Sequence, residues 1–127
     1  MPKANRLCRS RDFRRVRQVG ATVREPLVVL TAAPGLAAAT RIGFVVSRKL
    51  GGAVARNRVR RRLRVACASR LAAISPARDV VVVARSAARD VSYQVIDAAV
   101  GAALAKAGVL AGPSPQADGT CETRSSS

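Results

Sequence analysis

Arg41-Ile42-Gly43-Phe44-Val45-Val46-Ser47-Arg48-Lys49-Leu50-Gly51-Gly52-Ala53-Val54-Ala55-Arg56-Asn57-Arg58-Val59-Arg60-Arg61-Arg62-Leu63-Arg64 changes its hydrophobic period half-way. Ile42 to Ser47 is an apolar, partly β-branched run of strand length, and Gly43 within it marks a bulge or a close backbone approach. Gly51-Gly52 breaks the run. From Ala53 the apolar positions recur at helical spacing, at about 100° per residue. Val59, Leu63 and Ala66 thereby gather on one side, and Asn57, Arg61 and Arg64 project from nearly the opposite side. One side packs, and the other presents cations.

Six of the nine residues 56–64 are arginine, and no carboxylate lies between Glu25 and Asp79. Solvated helix faces usually intersperse Glu or Asp at i±4, each pair contributing about 0.2–0.5 kcal/mol, and like-charged neighbours cost about as much. Arginines in the first turns also oppose the helix macrodipole. Both penalties reverse when phosphate oxygens reach the N-terminal turns. The helix therefore reads as a polyanion contact. It carries no interleaved aromatic, so recognition by phosphate position and shape is expected in place of base stacking, which suits structured RNA.

Working outward, Ser10 to Gly20 fits a short basic helix with Ser10 as N-cap, Asp12 in the first turn, Phe13 and Val16 as its apolar stripe and Gly20 as its end. Val23 to Thr31 reads as one extended run with Pro26 at a start, bulge or edge, and Ala33-Pro34-Gly35 as the following turn. The run from Ile42 then follows at hairpin distance and is expected to lie antiparallel to it. Alternation places Val28 and Leu30 on one sheet face with Phe13, and Leu27 and Val29 on the other. From these residues alone Phe13 is a core residue sooner than a nucleobase platform. The arginine helix is expected to run to about Ala73, with Pro76 as a stop. Asp79 opens Val80-Val81-Val82-Val83-Ala84, uniformly apolar and suited to a central strand covered on both faces. Ser92 caps a last helix whose Ile96, Val100, Ala103, Leu104 and Ala107 share a face, with Gly108 at its end. Residues 1–110 are thus read as one RNA-binding domain, and residues 111–127, rich in Gly, Pro, Ser and Thr, as a disordered tail.

Composition narrows the chemistry. Twenty-three Lys and Arg against seven Asp and Glu give a formal charge of +16 over 127 residues, a self-repelling surface that a polyanion would relieve. Arginine far exceeds lysine (Lys3, Lys49 and Lys106), but alanine is abundant too, so coding-sequence bias explains this as readily as phosphate preference does. The chain has no histidine, so neither a Ser-His nor a Cys-His couple can form. Asp12, Glu25, Asp79, Asp90 and Asp97 stand singly, unlike the converging carboxylates of two-metal nucleases. Cys8, Cys67 and Cys121 lack metal-ligand spacing, and Cys67 reads as a small core residue. No protein-bound metal and no catalytic side chain are expected. With no apolar run long enough to span a bilayer and no apolar signal core, a cytoplasmic protein is expected.

The ordered string Asp12-Phe13, an extended apolar strand, Arg41-Ile42-Gly43-Phe44-Val45-Val46-Ser47-Arg48-Lys49, Gly51-Gly52-Ala53-Val54 and Arg56-Asn57-Arg58 resembles the protein subunit of bacterial ribonuclease P, over about Asn5 to Val109. The resemblance implies an α/β (α+β) two-layer sandwich of order αβββαβα, like one domain of ribosomal protein S5. Its four-stranded mixed sheet would have a left-handed βαβ crossover, against the usual hand. It implies binding to the catalytic RNA of ribonuclease P and to the 5′ leader of precursor tRNA, with cleavage performed by that RNA and its magnesium, and with no obligate protein partner. It places Arg56, Asn57, Arg58, Arg61 and Arg64 on the catalytic RNA. It places Phe13, Arg17, Val28, Leu30, Val45 and Lys49 along the leader. Arg17 and Leu30 depart from the family pattern, which often has aromatics at both positions, so the leader cleft here is expected to rely more on charge and apolar contact than on stacking.

Overall fold

The computed structural model describes residues 5–7, 9–35, 39–74 and 77–108. The elements run α1 (Ser10–Val19), β1 (Ala21–Arg24), β2 (Val28–Pro34), β3 (Arg41–Val46), α2 (Ala53–Ala68), β4 (Arg78–Ala84) and α3 (Tyr93–Lys106), with 3-10 turns at Arg48–Leu50, Leu71–Ala73 and Ser86–Ala88. The strands form one mixed sheet in the order β1-β2-β4-β3. Strand β2 is antiparallel to β1 and β4, whereas β3 runs parallel to β4 and reaches it through α2. The αβββαβα order and the mixed four-stranded sheet are therefore present.

Strand β4 lies centrally because it has no polar side chain between Val80 and Ala84 to keep in water. Val80, Val82 and Ala84 face α2 and α3, where they join Val59, Leu63, Ile96, Val100 and Leu104 in the larger core. Val81 faces the other way, into a smaller core with Leu7, Val16 and Ala33 beneath α1. Helix α3 starts where Ser92 Oγ accepts the Val95 N–H, and ends as Gly108 takes a positive φ of 72°. Two ion pairs bind its ends: Arg70 donates to Asp97 Oδ1 at 2.7 Å, and Lys106 to Glu25 Oε2 at 2.8 Å. The hydrogen bond from Arg70 lowers the Asp97 pKa.

Four local expectations change. Val23 to Thr31 is two strands: Pro26 has no N–H for a ladder, and the chain turns there, with Glu25 N–H bonding Val28 C=O at 2.9 Å. Strands β2 and β3 run antiparallel but are not a hairpin, since β4 lies between them. Helix α2 stops at Ala68, where the Ser69 hydroxyl and the Arg70 guanidinium both donate to the Ala66 carbonyl at 2.9 Å, and a 3-10 turn follows. Ser10 is inside α1; Arg9 occupies the N-cap position and makes no side-chain cap. Pro76 and the tail 111–127 lie outside the described residues. Among the described residues no helix is long and apolar enough to cross a membrane.

Candidate nucleic-acid interface

Helix α2 divides as its periodicity predicts. Val59, Leu63, Ala66 and Cys67 are fully buried, whereas Asn57, Arg58 and Arg61 are exposed. Burial pushes the Cys67 thiol up to about 12 against a smaller opposing effect from Arg70, so this cysteine is an inert core group. Val54, Asn57, Arg60, Arg61 and Arg64 line an open groove along the helix. Val54, 73% exposed, is the apolar member of that surface. Arg62 is turned away and donates to the Val91 carbonyl at 2.7 Å. Arg56 is half-buried, and its Nε is buried without a hydrogen-bond partner among the described residues. The structure thus brings Asn57, Arg61 and Arg64 together, with Arg58 exposed and Arg56 half-buried on the same helix. Arg60 was not singled out in the sequence, though its position three residues after Asn57 and four before Arg64 places it on their flank.

A buried carboxylate fixes α1 over the other face of the sheet. Asp79 on β4 is fully inaccessible and receives Arg41 through two hydrogen bonds, Nε at 3.0 Å and Nη2 at 2.8 Å. Arg15 of α1 bonds the same carboxylate, and Asp12 lies 3.8 Å from Arg41. Burial alone would raise the Asp79 pKa, but the hydrogen bonds and charges of Arg41 and Arg15 outweigh it and hold the carboxyl below its ordinary value. In this way α1, β3 and β4 are tied at one end. Between Asp12 and Arg15 on α1, the ring of Phe13 lies over Gly43, where a Cβ would stand only 2.4 Å from the ring. Gly43 is therefore a close-approach glycine, as its place in a strand suggested.

Beyond Phe13, the residues Ser10, Arg14, Arg17, Gln18 and Val45 line a cleft between α1 and the sheet. The floor follows from register: Val29 pairs with Val83, and Val83 with Val45, so one row of three half-buried valines crosses β2, β4 and β3. Val28 and Leu30 are not part of it. Both are fully buried on the opposite face, packed under α2 and α3, where no strand lying in the cleft can touch them. The assignment of those two residues to a leader surface was therefore wrong by one residue of strand parity, which sends every side chain to the other face. Val29 and Val83 stand on the cleft side of the sheet instead. Lys49 is exposed in the 3-10 turn just past β3, at the Val45 end of the row.

A family model described as Ribonuclease P matches residues 1–108. The chain belongs to the ribonuclease P protein family. The ribonuclease P protein component of Roseiflexus sp. (strain RS-1) is 42% identical over 120 residues, covering 93% of this chain and 98% of that relative. That of Herpetosiphon aurantiacus is 41% identical over 107 residues, covering 84% and 87%. Among solved structures, the Staphylococcus aureus RNase P protein superposes with a TM-score of 0.79 at 31% identity, over 85% of this chain and 99% of that one. A Staphylococcus aureus mutant described as defective in mRNA degradation activity gives 0.80 at 32% identity, covering 85% and 92%. The RNase P protein from Thermotoga maritima gives 0.71 at 26% identity, covering 80% and 96%. Ribonuclease P is an endoribonuclease, and proteins of this family are its accessory subunit.

For a ribonuclease P protein, the disposition of its carboxylates is informative. Asp79 is paired with two arginines, Asp97 with Arg70, and Glu25 with Lys106. Asp90 is 88% exposed and 3.7 Å from Arg89. Among the described residues no three of the acidic or sulfur side chains converge as a metal set. Among the described residues, these acidic groups each lie beside an arginine or a lysine.

Proposed function

We propose that this chain docks on the catalytic RNA of ribonuclease P through α2 and holds the 5′ leader of precursor tRNA against α1 and the open sheet face, in the cytoplasm. One observation carries the reading. The cationic groove on α2 and a cavity at the edge of β3 share Arg60 and Arg64 as lining, and that cavity shares Phe13 with the valine-floored cleft under α1. One RNA and one single strand can then be held side by side on the same protein. Asn57, Arg58, Arg61 and Arg64, with Arg60, supply N–H donors to phosphate oxygens on the catalytic RNA, and Arg56 adds charge at the first turn. Val29, Val83 and Val45 offer apolar contact to an extended leader, Phe13 bounds it, and Arg17 and Lys49 hold its phosphates. Magnesium, held by RNA phosphates, supplies charge stabilisation at the scissile phosphate, while the protein's own part is to bind and align.

Reconstitution tests this. With the cognate ribonuclease P RNA, the protein should lower the magnesium concentration needed for 5′ processing and favour substrate bearing a leader over mature tRNA. If the protein leaves both unchanged, it is another kind of RNA-binding module. Magnesium-dependent cleavage of precursor tRNA by the protein alone would assign the chemistry to the protein instead.

A further inference from the structure

The chain has two phenylalanines, and they meet at one place. Phe13 comes from α1 and Phe44 from β3, on opposite faces of the sheet, yet both reach a cavity of about 300 Å³ at the outer edge of β3. Its other walls are Arg6 and Leu7 of the N-terminal segment and Arg60 and Arg64 on the flank of α2. That segment is fastened to the strand edge, with Leu7 N–H donating to Ile42 C=O at 3.0 Å and Asn5 Nδ2 to Thr40 C=O at 2.8 Å. Three arginines and two half-buried rings line the space, and among the described residues no carboxylate does.

The walls suit a nucleotide. Arg64 is half-buried and lines the cavity, so its guanidinium puts a cation at the wall. Arg60 gives one N–H to Asn57 Oδ1 at 3.0 Å, which orients its guanidinium and leaves other donors free. The rings offer apolar and π surface that phosphate alone would not use. The volume sits at the lower end of the ~300–1,000 Å³ typical of small-molecule clefts, room for one nucleoside and too little for a base pair.

We propose that this cavity receives a single RNA nucleotide swung out of its stack, its base against Phe44 and Phe13 and its phosphate on Arg60 and Arg64. The inference rests on reading α2 as an RNA-binding helix, and gives that surface a base-sized socket in addition to its phosphate contacts. Extruding a bulged or unpaired nucleotide is cheap compared with breaking a pair, so the site selects irregular RNA over uninterrupted duplex.

The test uses the full chain carrying 4-fluorophenylalanine, which gives two ¹⁹F resonances that a Phe13→Leu sample assigns. Four RNA hairpins, each with one bulged A, C, G or U, are compared with the same stem lacking a bulge. At least one bulged hairpin should shift the Phe44 resonance saturably, and the plain stem should not. Phe44→Leu, which keeps an apolar side chain, should weaken that hairpin about tenfold, as expected for loss of one stacked base, with the plain stem unaffected. If no bulged hairpin moves Phe44 beyond the plain stem while both bind with normal salt dependence, the socket is refuted and the RNA-binding helix stands. If neither these RNAs nor ribonuclease P RNA binds, the underlying reading fails instead.

Discussion

Replacing Gly43 by alanine tests how α1 is seated on the sheet. The added Cβ would stand 2.4 Å from Cζ and 2.8 Å from Cε1 of Phe13, and 2.9 Å from the Leu7 carbonyl oxygen. Carbon–carbon contacts settle at ~3.5–4.0 Å, so the ring must retreat by roughly 1.1–1.6 Å. Retreat is hindered because the N-terminal half of α1 is tied down through Asp12 and Arg15, and Leu7 is bonded to β3 by its own N–H. Two effects compete. Alanine in place of a glycine in extended backbone gains about 0.4–1 kcal/mol by restricting the unfolded chain, while overpacking costs about 1–3 kcal/mol. The clash should win, leaving a net loss near 1–2 kcal/mol, and each kcal/mol lowers Tm by about 4 °C in a domain of this size. Thermal melts measure the stability change, and the Kd ratio of leader-bearing to mature tRNA in the reconstituted particle measures the displaced ring. The Gly43→Ala/Phe13→Ala double variant should fall short of the summed losses, because removing the ring removes the clash. A wild-type Tm for Gly43→Ala, or losses that simply add, would show that the ring does not rest on this glycine.

Arg61→Ala and Arg64→Ala should each lower the slope of log affinity for ribonuclease P RNA against log salt, by up to about 0.9 per lost phosphate contact, and an unchanged slope removes that residue from the interface. Asp79→Asn should destabilise the fold by about 3 kcal/mol or more at neutral pH, because Arg41 and Arg15 lose their shared anion. The Asp79 pKa is lower when folded than its ordinary value of 3.8, so its contribution is complete above that pH and fades as pH falls below it. Urea titrations of both proteins should therefore converge only in strong acid, and a gap that closes near neutrality would contradict the assignment. Leu30→Ala should cost about 2–5 kcal/mol in a melt yet keep the leader preference of the folded protein, whereas Val29→Ser should cut that preference at a smaller loss of stability.

The sequence carried the two-sided nature of α2 plainly, because Val59, Leu63 and Ala66 keep helical spacing among arginines and nothing acidic interrupts them. The cap at Ser92 and the central place of β4 were equally legible, each resting on a local rule: a hydroxyl three residues before an N–H, and a run with no polar side chain. Strand pairing was not local. Nothing between Val28 and Val46 records that β4, more than thirty residues later, enters between β2 and β3. Parity failed for a related reason, since Val28-Val29-Leu30 is apolar at every position and alternation needs a polar partner to orient it. Ser69 and Arg70 ended α2 early through side-chain bonds to one carbonyl, which periodicity does not register. Arg60 was legible and overlooked, whereas Val83 needed the register of three strands.

Phe13 is a common wall. Its ring borders both the socket at the β3 edge and the cleft under α1, so an occupant that displaces it on one side alters the shape offered on the other. Binding free energies linked through a shared group are reciprocal: were the socket to hold the catalytic RNA and the cleft the leader, whatever factor the RNA imposed on leader affinity, the leader would impose on RNA affinity. A precursor and its mature product would then differ in how firmly they hold the protein to its RNA, and loss of the leader would become a signal that the particle itself can register.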